Sequence, residues 1–209
     1  VRAISQAGFK KIFGLDIDED KVDKINGGDP LLETLTREEL GLMLKSGFSS
    51  TIDYSVIAKS DILIICVPTP VNKYKEPDLS FIQDTIDKSK EYFHKSMFIS
   101  LESTTYPGTT NEIIANNIEA LGFEIGKDFF IGYSPEREDP GNHNFTTATI
   151  PKVISGVTDN CLEICENFYG SFIDTTVPVS NPRTAEMVKL IENIQRSVNI
   201  GLMNELKIV

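Results

Sequence analysis

The sequence predicts an α/β fold: a doubly wound parallel sheet followed by one long C-terminal connecting helix. Short apolar runs alternate with segments of helical periodicity between residues 11 and 176, and a single helical pattern covers 181–209. With 209 residues, 40% of them hydrophobic, the chain can bury the core of one domain. We therefore predict one domain over 1–178 and the start of a second, helical domain over 179–209.

Apolar runs and turn residues place the individual elements. Asp18 precedes the first helix and Gly27-Gly28 ends it, while Pro68 stops an apolar run that begins at Asp61. That run is continuously apolar, which predicts a central strand buried on both faces. Strands are predicted at 11–16, 61–67, 97–101, 129–133, 152–155 and 172–176, and helices at 18–28, 37–46, 81–93, 109–121 and 159–169.

Composition narrows the class of protein. A net charge of −11 argues against a nucleic-acid backbone as partner, so an anionic ligand would need local basic groups. The apolar runs are too short to span a membrane, and no signal peptide is visible at Val1. Cys66, Cys161 and Cys165 are predicted to be buried and reduced, no metal site is expected, and a soluble cytoplasmic protein is predicted.

Ligands of doubly wound folds bind at the carboxyl ends of the strands. Asp16 ends the first predicted strand, where a carboxylate can accept hydrogen bonds from the ribose hydroxyls of NAD; Lys21 follows five residues later. A role as helix N-cap is equally compatible with this position. The glycine fingerprint that usually precedes such an acidic residue is absent. We therefore expect the chain to begin inside the first helix of the domain, with the first strand and the glycine loop missing.

Hydroxyl-bearing turns follow the next two strands. Val67-Pro-Thr-Pro70 places Thr69 at one strand end, and Glu102-Ser-Thr-Thr-Tyr-Pro-Gly-Thr-Thr110 places Thr105 at the next. These hydroxyls suit contacts to a cofactor or substrate. Serine and threonine are also common in ordinary turns, so neither motif alone assigns a function.

Charged side chains are concentrated in two later segments. Tyr133-Ser-Pro-Glu-Arg-Glu-Asp-Pro-Gly-Asn142 follows a strand; in it, Glu136 is a candidate general acid–base group and Arg137 a candidate anion ligand. In the last helix, Lys189, Asn193 and Arg196 are spaced i, i+4 and i+7 and project from one face. An exposed charged loop and an ordinary polar helix face are the alternatives for these two segments.

Taken together, these segments resemble the UDP-glucose/GDP-mannose dehydrogenase family, and they look closest to its UDP-N-acetyl-D-glucosamine 6-dehydrogenase branch. The motifs occur in the family's order along nearly the whole chain. The form of the loop after Tyr133 favours N-acetylglucosamine over N-acetylmannosamine. The motifs that carry the resemblance are Gly14-Leu-Asp16-Ile-Asp, Val67-Pro-Thr-Pro70, Glu102-Ser-Thr-Thr-Tyr-Pro-Gly-Thr-Thr, Tyr133-Ser-Pro-Glu-Arg-Glu-Asp-Pro-Gly-Asn and Lys189-Leu-Ile-Glu-Asn193-Ile-Gln-Arg196.

The resemblance implies a Rossmann-like NAD-binding domain and an NAD-dependent oxidation of a UDP-sugar C6 alcohol to the carboxylate. Lys189 and Asn193 would be catalytic, Lys189 as the acid–base group, and Glu136 would activate the water that hydrolyses a thioester. The resemblance also implies two sets of binding residues. The cofactor would be bound by Asp16, Lys21, Thr69 and Thr105. The sugar nucleotide would be bound by Arg137, Glu138, Lys189, Asn193 and Arg196.

The family's cysteine nucleophile lies downstream of the Lys-Asn-Arg helix, so the resemblance implies that this polypeptide alone is inactive. A homodimer through the C-terminal helix is expected from its apolar stripe. Two alternatives stay open at this point. One is an NAD-linked dehydrogenase of the hydroxyacid or phosphogluconate type, and the other is a non-catalytic nucleotide-binding or dimerisation module.

Overall fold

A computed structural model describes residues 1–31, 35–74, 76–136 and 149–208. Strands and helices alternate along this part of the chain, joined by short 3₁₀ turns and by a π-helical segment at Thr110–Ala115. The strands are β1 Ile12–Leu15, β2 Phe48–Thr51, β3 Ile62–Ile65, β4 Met97–Leu101, β5 Phe129–Tyr133, β6 Lys152–Gly156 and β7 Thr176–Pro178. The α-helices are α1 Arg2–Gln6, α2 Glu19–Asn26, α3 Arg37–Lys45, α4 Ser80–Ser89, α5 Asn116–Ala120, α6 Asp159–Gly170 and α7 Pro182–Ile208.

The strands form a Rossmann-like α/β arrangement. β3, β4 and β5 are parallel neighbours in a five-stranded sheet of order β3-β4-β5-β6-β7, and β1 pairs in parallel with β2. β6 runs antiparallel to β5, so the sheet is not wholly parallel as predicted. β3 is not central in the described part of the chain either. It pairs there with β4 alone, and Ile62, Leu63 and Ile64 are accordingly half-buried.

Alternating side chains of the sheet build two apolar cores. Met97, Ile99 and Leu101 of β4 pack with α4, α5 and the start of α7 on one face. Phe98 of β4 packs with Phe168 of α6 on the other face. This period of two is what a strand imposes. Both faces of the sheet are therefore covered by helices, as a doubly wound fold requires.

Most predicted elements are present; two differ in their bounds or helix type, and one strand was not predicted. The predicted strand 172–176 is wrong, because Ile173 is buried in the α6 core and pairing with β6 begins only at Thr176. β2 was not predicted; Phe48 packs there beside α3. The predicted helix 109–121 opens with π-type turns before it becomes α5.

Helix α7 changes its surroundings along its length. Pro182, Ala185 and Glu186 in its first turns are buried, and this part contacts β5, β6 and the Thr110–Ala115 segment. From Arg196 to Leu206 its side chains are exposed. Within the described ranges no helix is both long and apolar enough to cross a membrane.

Close packing of α6 on β6 gives the first test of this fold. A Cβ at Gly156 would lie 2.1 Å from the backbone nitrogen of Leu162, so Gly156→Ala must displace the helix. We expect it to lower the free energy of unfolding by about 1–3 kcal/mol, the usual cost of overpacking. Urea denaturation of the purified chain measures this loss.

Gly41→Ala is the matched control, because a Cβ at that helical position meets nothing within 4 Å. This substitution should raise the free energy of unfolding by up to about 1 kcal/mol, since alanine favours a helix over glycine. Equal effects of the two substitutions would contradict the packing of α6 described above.

Candidate active site

Three turns meet at the carboxyl edge of the parallel strands. Ile65, Leu101 and Tyr133 are aligned across β3, β4 and β5, so these strands end at the same level. Hydrogen bonds join the turns that follow. Thr69 Oγ1 donates to the carbonyl oxygen of Thr104 at 2.7 Å, and Ser103 Oγ donates to that of Val67 at 2.7 Å. The turn after β3 is thereby fixed to the turn after β4.

Helix α7 brings Lys189 to the turn after β5. Lys189 Nζ donates a hydrogen bond of 2.6 Å to the backbone carbonyl oxygen of Glu136. Both residues are half-buried. The sequence predicted that these two residues share a site, and the structure places them in contact. The atom that Lys189 reaches is the main-chain oxygen of Glu136, which the sequence pattern did not indicate.

Asn193 and Arg196 follow Lys189 on the same helix. Asn193 is half-buried and Arg196 is exposed. At a rise of about 1.5 Å per residue, Arg196 lies about 10 Å beyond Lys189 along the helix axis. The three side chains thus form a row that leads away from the sheet edge. Arg137 and Glu138, the other predicted substrate contacts, lie outside the described residues.

The turn after β4 presents a different threonine from the one predicted. Thr105 is 3% exposed, and its hydroxyl lies beside that of Tyr133. Its neighbour Thr104 is exposed at the strand end. A buried Thr105 is not placed to contact a bound cofactor directly, so Thr104 is the better candidate. The sequence did not reveal this, because side-chain direction beyond the strand depends on the path of the turn.

Asp16 lies directly after β1 with part of its carboxylate accessible. One oxygen accepts a hydrogen bond of 3.0 Å from the backbone of Asp18, the other lies 4.0 Å from Lys21 Nζ, and 40% of the side-chain surface is exposed. The cap of α2 is Asp18, which accepts from the backbone nitrogen of Lys21. The alternative role of Asp16 as this helix's cap is therefore not the one observed.

A buried ionic network lies beside these turns on the α6 face of the sheet. Lys152 Nζ is 3.3 Å from Glu102 Oε1, and the two side chains are 8% and 13% exposed. The Tyr169 hydroxyl donates to the same carboxylate at 2.5 Å and lies 2.7 Å from Ser100 Oγ. Burial raises the pKa of Tyr169 well above its usual value. The sequence does not reveal this network, because its residues are far apart in the chain and meet only through the pairing of the strands.

The two cysteines of α6 are not placed to act as nucleophiles. Cys161 and Cys165 are fully buried in α6, and burial raises the pKa of Cys165 to about 12. Since the thiolate is the reactive form, such a thiol is inert near neutral pH. The expectation that all three are buried is wrong for Cys66, which is exposed where the chain leaves β3.

Residues 2–173 match the family model described as the NAD binding domain of the UDP-glucose/GDP-mannose dehydrogenase family. The chain belongs to this family. Protein CapL of Staphylococcus aureus is 36% identical over 99% of the chain and 49% of its own length. UDP-N-acetyl-D-glucosamine 6-dehydrogenase of Pseudomonas aeruginosa is 34% identical over 96% of the chain and 47% of its own length. The chain thus spans about half the length of these relatives.

A solved structure supports the same assignment of fold and family. The UDP-D-ManNAc dehydrogenase of Pyrococcus horikoshii superposes with a TM-score of 0.90 at 32% identity, over 98% of this chain and 49% of that one. NAD is the cofactor of the matched domain. The residues that follow the parallel strands fit this cofactor. The Asp16 carboxylate after β1 can accept hydrogen bonds from ribose hydroxyls, and the hydroxyls after β3 and β4 offer further polar contacts.

The buried ionic network gives a second test. Lys152→Met keeps most of the apolar volume of the side chain but leaves the Glu102 carboxylate buried without its cation. We expect the free energy of unfolding to fall by about 3–5 kcal/mol, as when one partner of a buried ion pair is removed. Urea denaturation at neutral pH measures the change.

Lys95→Met is the control, because Lys95 pairs with Asp128 at 3.0 Å but has 73% of its side chain exposed. Removing an exposed pair should cost less than about 1 kcal/mol. If Lys152→Met costs no more than this control, Glu102 is not held as a buried charge.

Proposed function

We propose that this chain is the NAD-binding half, together with one wall of the substrate site, of an NAD-dependent UDP-N-acetyl-hexosamine 6-dehydrogenase. UDP-N-acetylglucosamine is the substrate that we favour. The observation that carries the proposal is the contact between Lys189 Nζ and the Glu136 carbonyl oxygen at the carboxyl edge of the sheet. This hydrogen bond places Lys189 of α7 beside the turn after β5, at the edge of the sheet where doubly wound enzymes bind their ligands.

Lys189 is proposed as the acid–base group for the C6 hydroxyl. An ammonium group beside a reacting oxygen stabilises negative charge that develops there, and proton exchange with it assists oxidation of an alcohol. Asn193, one turn further along the same face, would donate an amide hydrogen bond to the same oxygen. Glu136 would activate the water that hydrolyses an enzyme-bound thioester. Arg137, Glu138 and Arg196 are proposed as contacts to the sugar nucleotide.

NAD, when bound, accepts a hydride from the substrate carbon. Asp16 and Lys21 are proposed at its adenosine ribose, with Thr69 and the turn after β4 near the nicotinamide. In that turn the exposed Thr104 is a better contact than the buried Thr105. The family resemblance puts the nucleophilic cysteine of the thioester downstream of the helix that carries Lys189, so we propose that it comes from outside this chain; within the chain, Cys161 and Cys165 are buried.

The choice of N-acetylglucosamine depends on the loop after Tyr133, with its sequence Ser-Pro-Glu-Arg-Glu-Asp-Pro-Gly-Asn. Relatives named for glucosamine are 34% and 35% identical to the chain, and those named for mannosamine are 30% to 34% identical, so identity does not decide between the two sugars. The sugar is therefore a proposal separate from the reaction type. Family membership favours a sugar nucleotide over the hydroxyacid alternative, and the paired Lys189 and Glu136 favour an enzyme over a non-catalytic module.

A substrate panel tests this function in the longest protein that the gene containing this chain encodes. NADH absorbance is followed with UDP-N-acetylglucosamine, UDP-N-acetylmannosamine, UDP-N-acetylgalactosamine and UDP-glucose. We expect two NADH per UDP-N-acetylglucosamine. Lys189→Ala should lower kcat by about 100-fold or more, the usual contribution of general acid–base catalysis.

Lys207→Ala, at the exposed end of the same helix, should leave kcat unchanged. Turnover of the mannosamine substrate alone would overturn the choice of sugar but keep the reaction type. No turnover of any UDP-sugar would overturn the enzyme assignment.

We further propose that α7 pairs with a second copy of the chain. Its exposed apolar residues include Ile191, Ile194, Val198 and Leu202, whose spacings of three, four and four residues align them along one face. An exposed apolar row of this kind usually marks an interface. The predicted homodimer through the C-terminal helix is in keeping with this row.

Light scattering tests the pairing. The chain should have the mass of a dimer at micromolar concentration, and Val198→Asp should shift it to the monomer because a carboxylate is costly in an apolar interface. Ser197→Asp places the same charge one residue away, off the apolar row, and should leave the dimer intact. A monomeric wild-type chain would contradict the proposal.

A further inference from the structure

Glu186 carries a carboxylate that is completely buried beneath the first turns of α7. Its residue is 0% exposed. One oxygen accepts a hydrogen bond from the backbone nitrogen of Gly108, and the other accepts from the backbone nitrogen and the hydroxyl of Thr110, at 2.8 Å and 2.7 Å. Burying a carboxylate is costly unless its hydrogen bonds are made. Three converging donors therefore indicate a site built to hold this side chain in one place.

The donors belong to a turn whose own shape is fixed. Gly108 has φ of +117°, a conformation that favours glycine, and a Cβ there would lie 2.6 Å from Glu112 Oε1. The same Glu112 oxygen lies 3.2 Å from Arg183, one turn before Glu186 on α7. The turn after β4 and the start of α7 are thus joined by a buried carboxylate and by a more exposed ion pair.

Lys189 follows Glu186 by three residues and is therefore less than one helical turn away. Glu186 holds α7 to the turn after β4, while Lys189 Nζ contacts the Glu136 carbonyl oxygen in the turn after β5. Two contacts to two turns within a single helical turn fix both the rotation of α7 about its axis and its position along it. Loss of the Glu186 contact leaves the rotation less constrained.

We propose that Glu186 is a positioning residue: by fixing the rotation of α7 and its position along its axis, it fixes where the Lys189 side chain lies at the active site. The proposal rests on the proposed function of Lys189. Glu186 is remote from the reacting atoms in this scheme and acts through the helix. Its charge is what fixes the geometry, since only an ionised carboxylate accepts hydrogen bonds at both oxygens without presenting a donor.

The surroundings of Glu186 make this contact sensitive to pH. Burial raises the pKa of Glu186, against the opposing effect of the donors from Gly108 and Thr110. Arg183 on α7 favours the carboxylate, and Arg183 is itself paired with Glu112 of the Thr110–Ala115 segment. Tyr133 on β5 also lies nearby, and its own pKa is raised chiefly by burial. Because the folded pKa lies above that of an exposed glutamate, the stability contributed by this group falls as pH rises from about 4.5 through the folded value.

Glu186→Gln tests the positioning role in the same longest protein used for the substrate panel. Its amide nitrogen would face a backbone N–H or the Thr110 hydroxyl in place of an acceptor, so α7 should rotate slightly. We expect kcat to fall at least 10-fold with KM for NAD unchanged within 2-fold. Glu205→Gln, exposed near the end of α7, should change neither value.

Amine labelling followed by mass spectrometry provides a readout apart from activity. Lys189 should react several-fold faster in Glu186→Gln than in wild type, whereas Lys207 should react at the same rate in both. If Lys189→Ala lowers kcat but Glu186→Gln changes neither kcat nor Lys189 labelling, the positioning role is wrong and the proposed function stands. If Lys189→Ala leaves kcat unchanged, the proposed function itself fails.

Thr110→Val keeps the proposal testable if Glu186→Gln does not fold. This variant removes a single donor to the Glu186 carboxylate and keeps the volume of the side chain. It should raise Lys189 labelling and lower kcat in the same direction as Glu186→Gln but by less. Wild-type labelling and kcat in Thr110→Val would overturn the role given to this hydrogen-bonded site.

Discussion

The parallel alignment of β3, β4 and β5 is the constraint on which the site depends. Because Ile65, Leu101 and Tyr133 are at one level, the three following turns start side by side. Short hydrogen bonds such as that from Thr69 to the Thr104 carbonyl then join neighbouring turns without long loops. β6 runs the opposite way, which brings its first residue, Lys152, back to this same edge. Strand order and direction alone thus bring Glu102 and Lys152 to the carboxyl edge of the sheet.

Two largely buried carboxylates fix the geometry of this edge from opposite faces of the sheet. Glu102 is balanced by Lys152 and by the hydroxyl of Tyr169 on the α6 face. Glu186 on the α7 face is balanced by donors from the turn after β4. Each carboxylate would be costly if it lost its partners, so each penalises rearrangement of the turn that it contacts. Such turns are suited to hold ligands, since they are rigid although they lie outside regular structure.

The sequence allowed part of this arrangement to be predicted. β4 and β5 have the predicted bounds because each is a compact apolar run, and the spacing of Lys189 and Asn193 placed both on one helix face. β2 was missed because Phe48-Ser-Ser-Thr51 has one large apolar residue, and it becomes a strand only by pairing with β1. A strand that forms because of its pairing partner cannot be predicted from the residues of a short segment alone.

In the candidate site, too, the sequence predicted which residues are involved but not the contacts that they make. The order of the motifs predicted that Glu136 and Lys189 belong to one site. It could not predict that Lys189 contacts the backbone carbonyl oxygen of Glu136. The exposure of Thr104 and burial of Thr105 depend on a turn with a glycine at positive φ, which no periodicity describes. Glu186 stands between Ala185 and Met187 in the sequence, and nothing in that pattern predicts a buried carboxylate.

The change of surroundings along α7 explains why its chemistry lies in the middle. The first turns are held by the buried Glu186, and the last turns expose apolar residues such as Val198 and Leu206. Between them, Lys189 and Asn193 are half-buried, close enough to the sheet to be held and open enough to meet a ligand. An anchor at one end fixes Lys189 more firmly than Arg196, which lies about 10 Å further along the helix. Pairing of the distal part with a second copy would hold Arg196 as well, so we expect assembly to affect substrate binding more than proton transfer.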